Sequence, residues 1–268
     1  YGTFRRTSTP NFWRLEYLNI LNDVELIPAD LLDQSSIFEA VKKIKPDEFY
    51  NLAAQSFVGA SFDQPVATGE ITGLGLTRVL DVIRTTNKNI KFYQASTSEM
   101  FGGSIDKEPL NENSRFYPNS PYAAAKLYAH WVTVNYRNAY RMFACSGILF
   151  NHESPLRGLD FVTRKITYNL ALIKLGYKKY ISLGNIDSIR DWGYAKDYVE
   201  AMWLMLQQNK PEDFVIATGE SHSVREFGTK AAKMLDLDFK KIVKIDEKYI
   251  RPTDVNHLLG DPNKAEKK

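Results

Sequence analysis

The chain has 268 residues, of which 44% are hydrophobic and 25% are charged, a composition that excludes the disordered and collagen-like classes. Its 35 basic and 32 acidic residues are interspersed, so no basic stripe indicates binding to nucleic acid or to a membrane surface. No apolar run approaches the ~20 residues that span a bilayer. The single cysteine, Cys145, lies in an apolar run and has no internal disulfide partner. We therefore expect a soluble, cytoplasmic protein, and we predict no metal site.

Short apolar runs alternate with amphipathic ones through the first half of the chain. The predicted strands and helices, in chain order, are strand 24–31, helix 36–44, strand 49–54, helix 69–83, strand 90–95, helix 121–140 and strand 143–150. Ser120 and Pro121 supply an N-cap and a first-turn proline for the longest helix. Strands that alternate with helices indicate βαβ units and a parallel sheet covered on both faces. We predict an α/β fold with a Rossmann-like doubly wound parallel sheet.

In the second half of the chain, predicted strands and helices alternate less regularly. It contains predicted helices at 162–175, 195–208 and 224–235 and a strand at 214–217. We predict a Rossmann domain made of residues 1–150 and about 189–218, and a smaller substrate-binding lobe made of about 151–188 and 219–268. A dinucleotide-binding fold opens with a strand and a glycine-rich turn. The sequence opens at Tyr1 without that turn, and we expect the missing segment to precede it.

Tyr122 and Lys126 are four residues apart at the start of the longest predicted helix, so they lie one turn apart on one face. A phenol titrates near pH ~10 in water, and a neighbouring fixed cation favours its ionised form. Such a pair can remove a proton from a sugar hydroxyl while a hydride leaves the same carbon. The spacing also occurs where a half-buried tyrosine lies beside a solvated lysine. The preceding strand favours the first interpretation, because it ends in the hydroxyl residues Ser96 and Thr97.

Several motifs resemble those of a known group of enzymes. The Tyr-x-x-x-Lys pair and the strand-end threonine, with NLAAQS (51–56) and RDWGYAKDYVEA (190–201), resemble the extended short-chain dehydrogenase/reductases that act on nucleotide sugars. Within that group, four further motifs are similar to the GDP-mannose 4,6-dehydratase family: YQASTSEMFG (93–102), ILFNHESP (148–155), FVTRKI (161–166) and FVIATGESHSVREF (214–227). The resemblance extends over almost the whole chain.

The resemblance implies catalytic and cofactor-binding residues. The implied catalytic residues are Thr97, Glu99, Tyr122 and Lys126. The implied cofactor is NADP, since arginines in the segment after the family's second strand hold the adenosine 2′-phosphate. The implied cofactor-binding residues are Arg5, Arg6, Thr7, Ser8, Asp30, Leu31, Leu52, Ala53, Ala54, Gln55, Ser56, Tyr122, Lys126, His152 and Arg157.

The resemblance also implies a substrate, GDP-mannose, and the residues that bind it. These residues are Ser98, Glu99, Asn151, Val162, Lys165, Arg190 and Arg251. Guanidinium groups suit a diphosphate because their forked donors match its oxygens. As in the family, we expect a homodimer or a homotetramer, in which the loop from Arg5 to Thr9 reaches a neighbour's cofactor.

The implied reaction is an internal redox cycle. Tyr122 takes the proton of the hexose 4-hydroxyl while a hydride moves to NADP, Glu99 removes the proton at C5, water leaves from C6, and the hydride returns to C6. Two alternatives stay open. One is another nucleotide-sugar dehydratase or a 4-epimerase of the same fold, although dTDP-glucose dehydratases have Asp where this sequence has Ser98. The other is a non-catalytic dinucleotide-binding protein.

Overall fold

The computed structural model describes all residues from Tyr1 to Lys268. Its strands are β1 (Gly2–Phe4), β2 (Leu26–Pro28), β3 (Glu48–Asn51), β4 (Lys91–Ala95), β5 (Ala144–Leu149), β6 (Asn151–Glu153), β7 (Ile181–Leu183), β8 (Ile189–Arg190), β9 (Trp192–Tyr194), β10 (Phe214–Ile216), β11 (His222–Ser223), β12 (Val243–Ile245) and β13 (His257–Leu258). Its α-helices are α1 (Trp13–Tyr17), α2 (Gln34–Ile44), α3 (Ala60–Asp63), α4 (Pro65–Thr68), α5 (Gly75–Thr86), α6 (Pro121–Tyr140), α7 (Val162–Lys174), α8 (Ala195–Gln207), α9 (Val224–Lys233), α10 (Phe239–Ile242) and α11 (Asn263–Glu266).

The largest sheet is parallel and has four strands in the order β10-β5-β4-β3. Strands β1 and β2 form a separate parallel pair. Helices α2, α5 and α6 contribute to the core on one face of the four-stranded sheet, and α8 contributes to the core on the other face. Helices on both faces of a parallel sheet confirm the predicted doubly wound α/β class.

Side chains of β4 alternate between the two faces of the sheet. Phe92 belongs to the cluster that contains Leu80 and Ile83 of α5. Tyr93 belongs to the opposite cluster, which contains Leu206 of α8. All five side chains have no measurable exposure. Burying a side chain of this size contributes about 1.5–3 kcal/mol, so the two cores hold the sheet and its strand ends in place.

Helix α6 begins and ends where local sequence signals predicted. The Ser120 hydroxyl accepts a hydrogen bond from the Ala123 amide at 3.1 Å, and Pro121 occupies the first turn. The helix ends at Tyr140, and Arg141 follows in the left-handed region with φ of 55°. Such a residue commonly terminates a helix.

The helical region before β4 differs from its prediction. It begins at Pro65 rather than at residue 69, and a π turn over Gly69–Leu74 joins α4 to α5. A π turn adds one residue to the repeat and shifts the side chains that follow. Thr72 is buried in this turn, and its hydroxyl accepts a hydrogen bond from the Gln55 amide at 3.1 Å. The turn therefore supports the segment that follows β3.

The second half of the chain builds smaller sheets. Strands β7 and β12 form one parallel pair, β11, β8 and β13 form a three-stranded sheet, and β6 pairs with β9. Helices α7 and α9 pack together over a separate core. Residues 189–194, which we assigned to the Rossmann domain, thus pair within these smaller sheets, whereas α8 and β10 pack with the main sheet. None of the helices combines the length and apolar character that crossing a bilayer requires.

A buried carboxylate joins these parts. Asp191 has no measurable exposure and lies between β8 and β9. It accepts hydrogen bonds from the Thr218 hydroxyl at 2.7 Å and from the amides of Thr218 and Gly219 at 3.0 and 3.1 Å. Hydrogen bonds to an ionised acceptor are stronger than neutral ones. Asp191 therefore fixes the junction of β8 and β9 against the segment that follows β10.

Candidate active site

The carboxyl end of β4 presents the first group of predicted site residues. Thr97 follows the strand and caps a short 3₁₀ turn, Ser98–Met100, by accepting a hydrogen bond from the Glu99 amide at 3.2 Å. Thr97 and Ser98 are buried, and the Glu99 side chain is 14% exposed. Ligands of open α/β sheets bind at the carboxyl ends of the strands. The turn thus places the Thr97 hydroxyl and the Glu99 carboxylate together at the strand end where such a ligand would bind.

Helix α6 brings Tyr122 and Lys126 to the same strand end. Thr97 lies close enough to the Tyr122 phenol to lower its pKa. Lys126 is 4% exposed, its Nζ lies 5.9 Å from the centroid of the Tyr122 ring, and it donates a hydrogen bond to the Ala95 carbonyl at 2.7 Å. We call Thr97, Tyr122 and Lys126 the phenol end of the site.

Burial dominates the titration of the phenol end. It raises the pKa of the Tyr122 phenol well above its ordinary value, Glu99 raises it further, and Thr97 and Arg157 act in the opposite direction. Burial lowers the pKa of Lys126 to about 8. We expected the lysine to lower the pKa of the phenol. In this structure the loss of hydration outweighs that effect, because the ammonium is directed at the Ala95 carbonyl.

A second group of charged residues surrounds Glu99. Arg251 Nη1 lies 3.8 Å from Glu99 Oε1, and Arg190 Nη2 lies 3.6 Å from Asp254 Oδ1. Arg190 is 8% exposed. Burial lowers the pKa of its guanidinium, and Glu99 and Asp254 oppose that change. We call Glu99, Arg190, Arg251 and Asp254 the arginine end. It presents two guanidinium groups beside the carboxylate that we predicted to be a base.

Residues from β6 lie behind the phenol end. His152 Nδ1 is 2.9 Å from the Phe150 carbonyl oxygen, and the imidazole stacks on Tyr198 with ring centroids 4.9 Å apart. Burial lowers the pKa of His152, and the positive charges of Arg157 and Lys126 lower it further. Its neighbour in β6, Asn151, is half-buried and pairs with Trp192 of β9. A neutral imidazole is therefore held against the sheet by stacking and one hydrogen bond.

Arg157 has its own surroundings near this group. Its guanidinium lies 3.6 Å from the centroid of the Phe161 ring, and its Nε lies 3.3 Å from Glu153 Oε2. Burial lowers the pKa of Arg157, and Glu153 and Tyr122 oppose that change. The structure thus brings the predicted cofactor-side arginine within electrostatic reach of the phenol.

Two predicted substrate residues lie on α7. Lys165 Nζ is 3.4 Å from the centroid of the Tyr249 ring. Burial lowers the pKa of Lys165, and the nearby Lys178 and Lys248 lower it further. Val162 begins the helix and packs at the edge of the core beneath it. Because Tyr249 precedes Arg251 by two residues, this cationic group continues the arginine end along the chain.

The predicted cofactor segment after β3 is largely open. Leu52 is 57% exposed, Ala53 and Ser56 are exposed, and Ala54 is half-buried. The Gln55 side chain donates to the Phe57 carbonyl at 3.1 Å, and its amide oxygen is buried without a partner. A buried acceptor without a partner is costly unless a ligand or water satisfies it.

Predicted adenosine-side residues lie beside β1 and β2. An open pocket of about 690 Å³ is lined by Phe4, Arg6, Thr7, Ser8, Pro10 and Pro28. Arg5 is exposed but does not line this pocket. Asp30 accepts a hydrogen bond from the Leu32 amide at 3.0 Å, and Leu31 packs closely against Gly75. One guanidinium and two hydroxyls suit a phosphate group, so these residues fit the adenosine end of NADP.

Sequence reasoning missed Asp254, Asp191 and the buried amides of Asn51 and Gln94. Asp254 lies in a loop, and a charged residue in a loop is ordinarily expected to be solvated. Gln94 did leave a signal, because it is a polar residue inside the apolar run of β4. Its partner lies 43 positions earlier, which no local pattern reveals.

A doubly wound parallel sheet that carries a threonine at a strand end and a Tyr-Lys pair on the next helix defines the short-chain dehydrogenase/reductase class. Comparison with known proteins assigns the chain to one family within this class. The chain belongs to the GDP-mannose 4,6-dehydratase family, whose model matches residues 1–268.

Individual relatives agree with this assignment. The GDP-mannose 4,6 dehydratase of Dictyostelium discoideum is 54% identical over 95% of this chain and 76% of its own length. The Homo sapiens protein of the same name is 48% identical over 100% of this chain and 78% of its own length. The fold is similar to that of a dTDP-glucose 4,6-dehydratase double mutant from Streptomyces venezuelae solved with NAD, with a TM-score of 0.85, 21% identity, and coverage of 99% of this chain and 80% of that one.

Proposed function

We propose that this chain converts GDP-mannose to GDP-4-keto-6-deoxymannose and water by an internal redox cycle on NADP. The observation that carries the proposal is the end of β4, which presents Thr97 to the Tyr122 phenol and, two residues later, Glu99 to Arg251. An oxidoreductase or epimerase needs the first arrangement only. A carboxylate placed beside it supplies the base that an elimination requires. The curated names of relatives about half identical to this chain support the same reaction.

The phenol end performs the proton transfer that accompanies oxidation. Tyr122, once ionised, accepts the proton of the 4-hydroxyl, and Thr97 holds that hydroxyl by a shared hydrogen bond. NADP, when bound, would supply the acceptor and later the donor of the hydride, and the positive charge of its oxidised ring would favour the phenolate. That charge matters because burial alone raises the pKa of Tyr122.

Glu99 performs the elimination. The 4-ketone acidifies the hydrogen at C5, and the Glu99 carboxylate removes it. The same proton passes to the departing 6-hydroxyl, which leaves as water. The hydride then returns to C6, and a proton, equivalent to the one released from the 4-hydroxyl, adds to C5. Arg190 and Arg251 bind the diphosphate, so the sugar is held with C5 towards Glu99.

Arg6 supports NADP rather than NAD as the cofactor. It lines the open pocket beside β1 with Thr7 and Ser8, and an arginine at this place accommodates a 2′-phosphate. We expect Arg6→Ser to weaken NADP binding about tenfold or more and NAD binding by less. Equal weakening of both, measured by fluorescence titration, contradicts this role.

We also propose that the protein is a cytoplasmic homo-oligomer. The buried, unpaired Cys145 thiol suits a reducing compartment. On α6, Tyr128 and Trp131 are 44% and 52% exposed, and Leu74 of the adjoining π turn is 41% exposed. Contiguous exposed apolar side chains on paired helices suit a self-complementary contact between two copies. Light scattering of the wild type and of Trp131→Glu tests it, because a purely monomeric wild type contradicts the proposal.

The direct test of the activity is product identification. The protein is incubated with GDP-mannose and catalytic NADP, and the product is followed by NMR, with Tyr122→Phe as the matched control. We expect a 4-keto-6-deoxy sugar and no net consumption of cofactor. A C4 epimer as the product, or turnover of dTDP-glucose with none of GDP-mannose, overturns the proposal in favour of another enzyme of this fold.

A further inference from the structure

Two buried amide side chains lie beneath the phenol end. Asn51 ends β3 and Gln94 lies opposite it in β4. They are 4% and 1% exposed. Asn51 Nδ2 donates to Gln94 Oε1 at 2.8 Å, and Gln94 Nε2 donates to the Ala95 carbonyl at 3.1 Å. A buried amide that is hydrogen-bonded through both its oxygen and its nitrogen, as Gln94 is, is costly to replace, because its partner loses its hydrogen bond.

The direction of these hydrogen bonds follows from one acceptor. The Ala95 carbonyl can only accept, so the amide nitrogen of Gln94 must face it. The Gln94 oxygen is then left facing Asn51, which must present its own nitrogen. The network therefore has a single arrangement.

The same carbonyl holds Lys126, whose Nζ donates to it at 2.7 Å. We propose that Gln94 is a positioning residue: it fixes the Ala95 carbonyl that aims the Lys126 ammonium, and it ties that carbonyl through Asn51 to the start of the cofactor segment. This proposal rests on the proposed function for its effect on turnover.

Two properties of Lys126 make such a device necessary. The side chain is long and flexible, and it is almost fully buried, so without a fixed acceptor it has several rotamers to choose from. The Ala95 peptide also leads directly into Ser96 and Thr97. A shift of this peptide would move both the Lys126 ammonium and the Thr97 hydroxyl relative to the phenol, and small displacements of reacting groups are costly for the rate.

Gln94→Met keeps the length of the side chain but removes both hydrogen bonds. We expect kcat for GDP-mannose to fall about tenfold with KM changed less than about twofold, because the diphosphate contacts are untouched. Thr133→Val is the matched control: it removes a different buried polar group, the hydroxyl of Thr133 in α6, which donates only to the Ala129 carbonyl, and it should leave kcat unchanged. Wild-type kcat in Gln94→Met overturns the proposal.

A double variant separates positioning from folding. Gln94→Met leaves the Asn51 amide unpaired, whereas Asn51→Leu with Gln94→Met replaces both partners by apolar groups and should recover most of the lost stability. We expect kcat to stay low in the double variant. Recovery of kcat together with the melting temperature means that Gln94 is only structural, and overturns the proposal.

A readout independent of turnover is the titration of Lys126, followed by NMR of labelled lysine side chains and assigned with Lys126→Met. Gln94→Glu places a carboxylate beside the shared acceptor and should move the titration of Lys126 upward by about one pH unit or more. An unchanged titration overturns the proposal. If this shift occurs but the wild type makes no 4-keto product, the proposed function fails while the role of Gln94 stands.

Discussion

The phenol end and the arginine end meet at one 3₁₀ turn but are built in opposite ways. At the phenol end, Tyr122 and Lys126 are buried without any counter-ion in hydrogen-bonding contact, and burial is the largest influence on the pKa of each. At the arginine end, every charged group has an opposite charge within 4 Å. Proton transfer benefits from groups whose ionisation changes easily, whereas diphosphate binding benefits from charges that persist.

The largest expected effect is at the phenol end. Tyr122→Phe removes the only group placed to take the 4-hydroxyl proton, so we expect kcat to fall about 10³-fold or more. Formation of reduced nicotinamide in a single turnover measures the step directly. Substantial residual oxidation by this variant contradicts the role of the phenol and removes the chemical distinction between the two ends.

The next largest effect is expected for Glu99→Gln. This variant tests whether oxidation belongs to the phenol end and elimination to Glu99. We expect oxidation at C4 to proceed and the elimination to slow about 10²-fold or more, since the amide cannot accept the C5 proton. Bound reduced nicotinamide should then accumulate and be visible by absorbance. Glu99→Asp, which keeps the charge on a shorter side chain, is the control. Normal turnover of Glu99→Gln shows that another group is the base.

The pH dependence of stability tests the burial of Lys126. Its pKa in the folded protein is about 8, below the ~10.4 of an unfolded lysine. Between these values the unfolded state binds more protons, so the free energy of unfolding rises with pH. Relative to Lys126→Met, we expect a gain of about 2 kcal/mol from pH ~8 to pH ~10 in denaturant titrations. A flat difference between the two proteins shows that Lys126 is hydrated.

Arg251→Lys should have the smallest effect. The Arg251 side chain is 32% exposed, against 10% for Arg190, so water screens part of its charge. We expect KM for GDP-mannose to rise a few-fold to about tenfold with little change in kcat, because an ammonium keeps the charge but loses the forked donors. Arg190→Lys should raise KM more. The reverse order in steady-state kinetics means that burial does not rank the two arginines.

Local signals account for the parts of the fold that were predicted correctly and for the placement of Tyr122 beside Lys126. The start of α6 follows from Ser120 and Pro121, since a cap and a first-turn proline act within one turn. The shared helix face of Tyr122 and Lys126 follows from their spacing. The resemblance to a family supplied Glu99 and the arginines, which composition and periodicity did not single out.

The remaining features depend on contacts between distant parts of the chain. Asp254 meets Arg190 across 64 positions, and each is unremarkable in its own segment. The two-residue strand β8 is too short to leave a period in the sequence, and it exists because β11 and β13 pair with it. The direction of the Tyr122 pKa shift depends on burial, which a Tyr-x-x-x-Lys spacing does not report.

The buried Asp191 carboxylate has consequences for proteolysis of this protein and for its engineering. This carboxylate joins the β8–β9 junction to the loop after β10, and Gly260 adds a further amide at 3.4 Å. The smaller sheets are therefore fastened to the main sheet at a point with no access to solvent. We expect proteolysis to degrade the molecule without releasing a stable fragment, and we expect residues 151–268 expressed alone to be insoluble. Engineering of this scaffold should accordingly exchange side chains at the phenol end and the arginine end and avoid swapping the two halves of the chain.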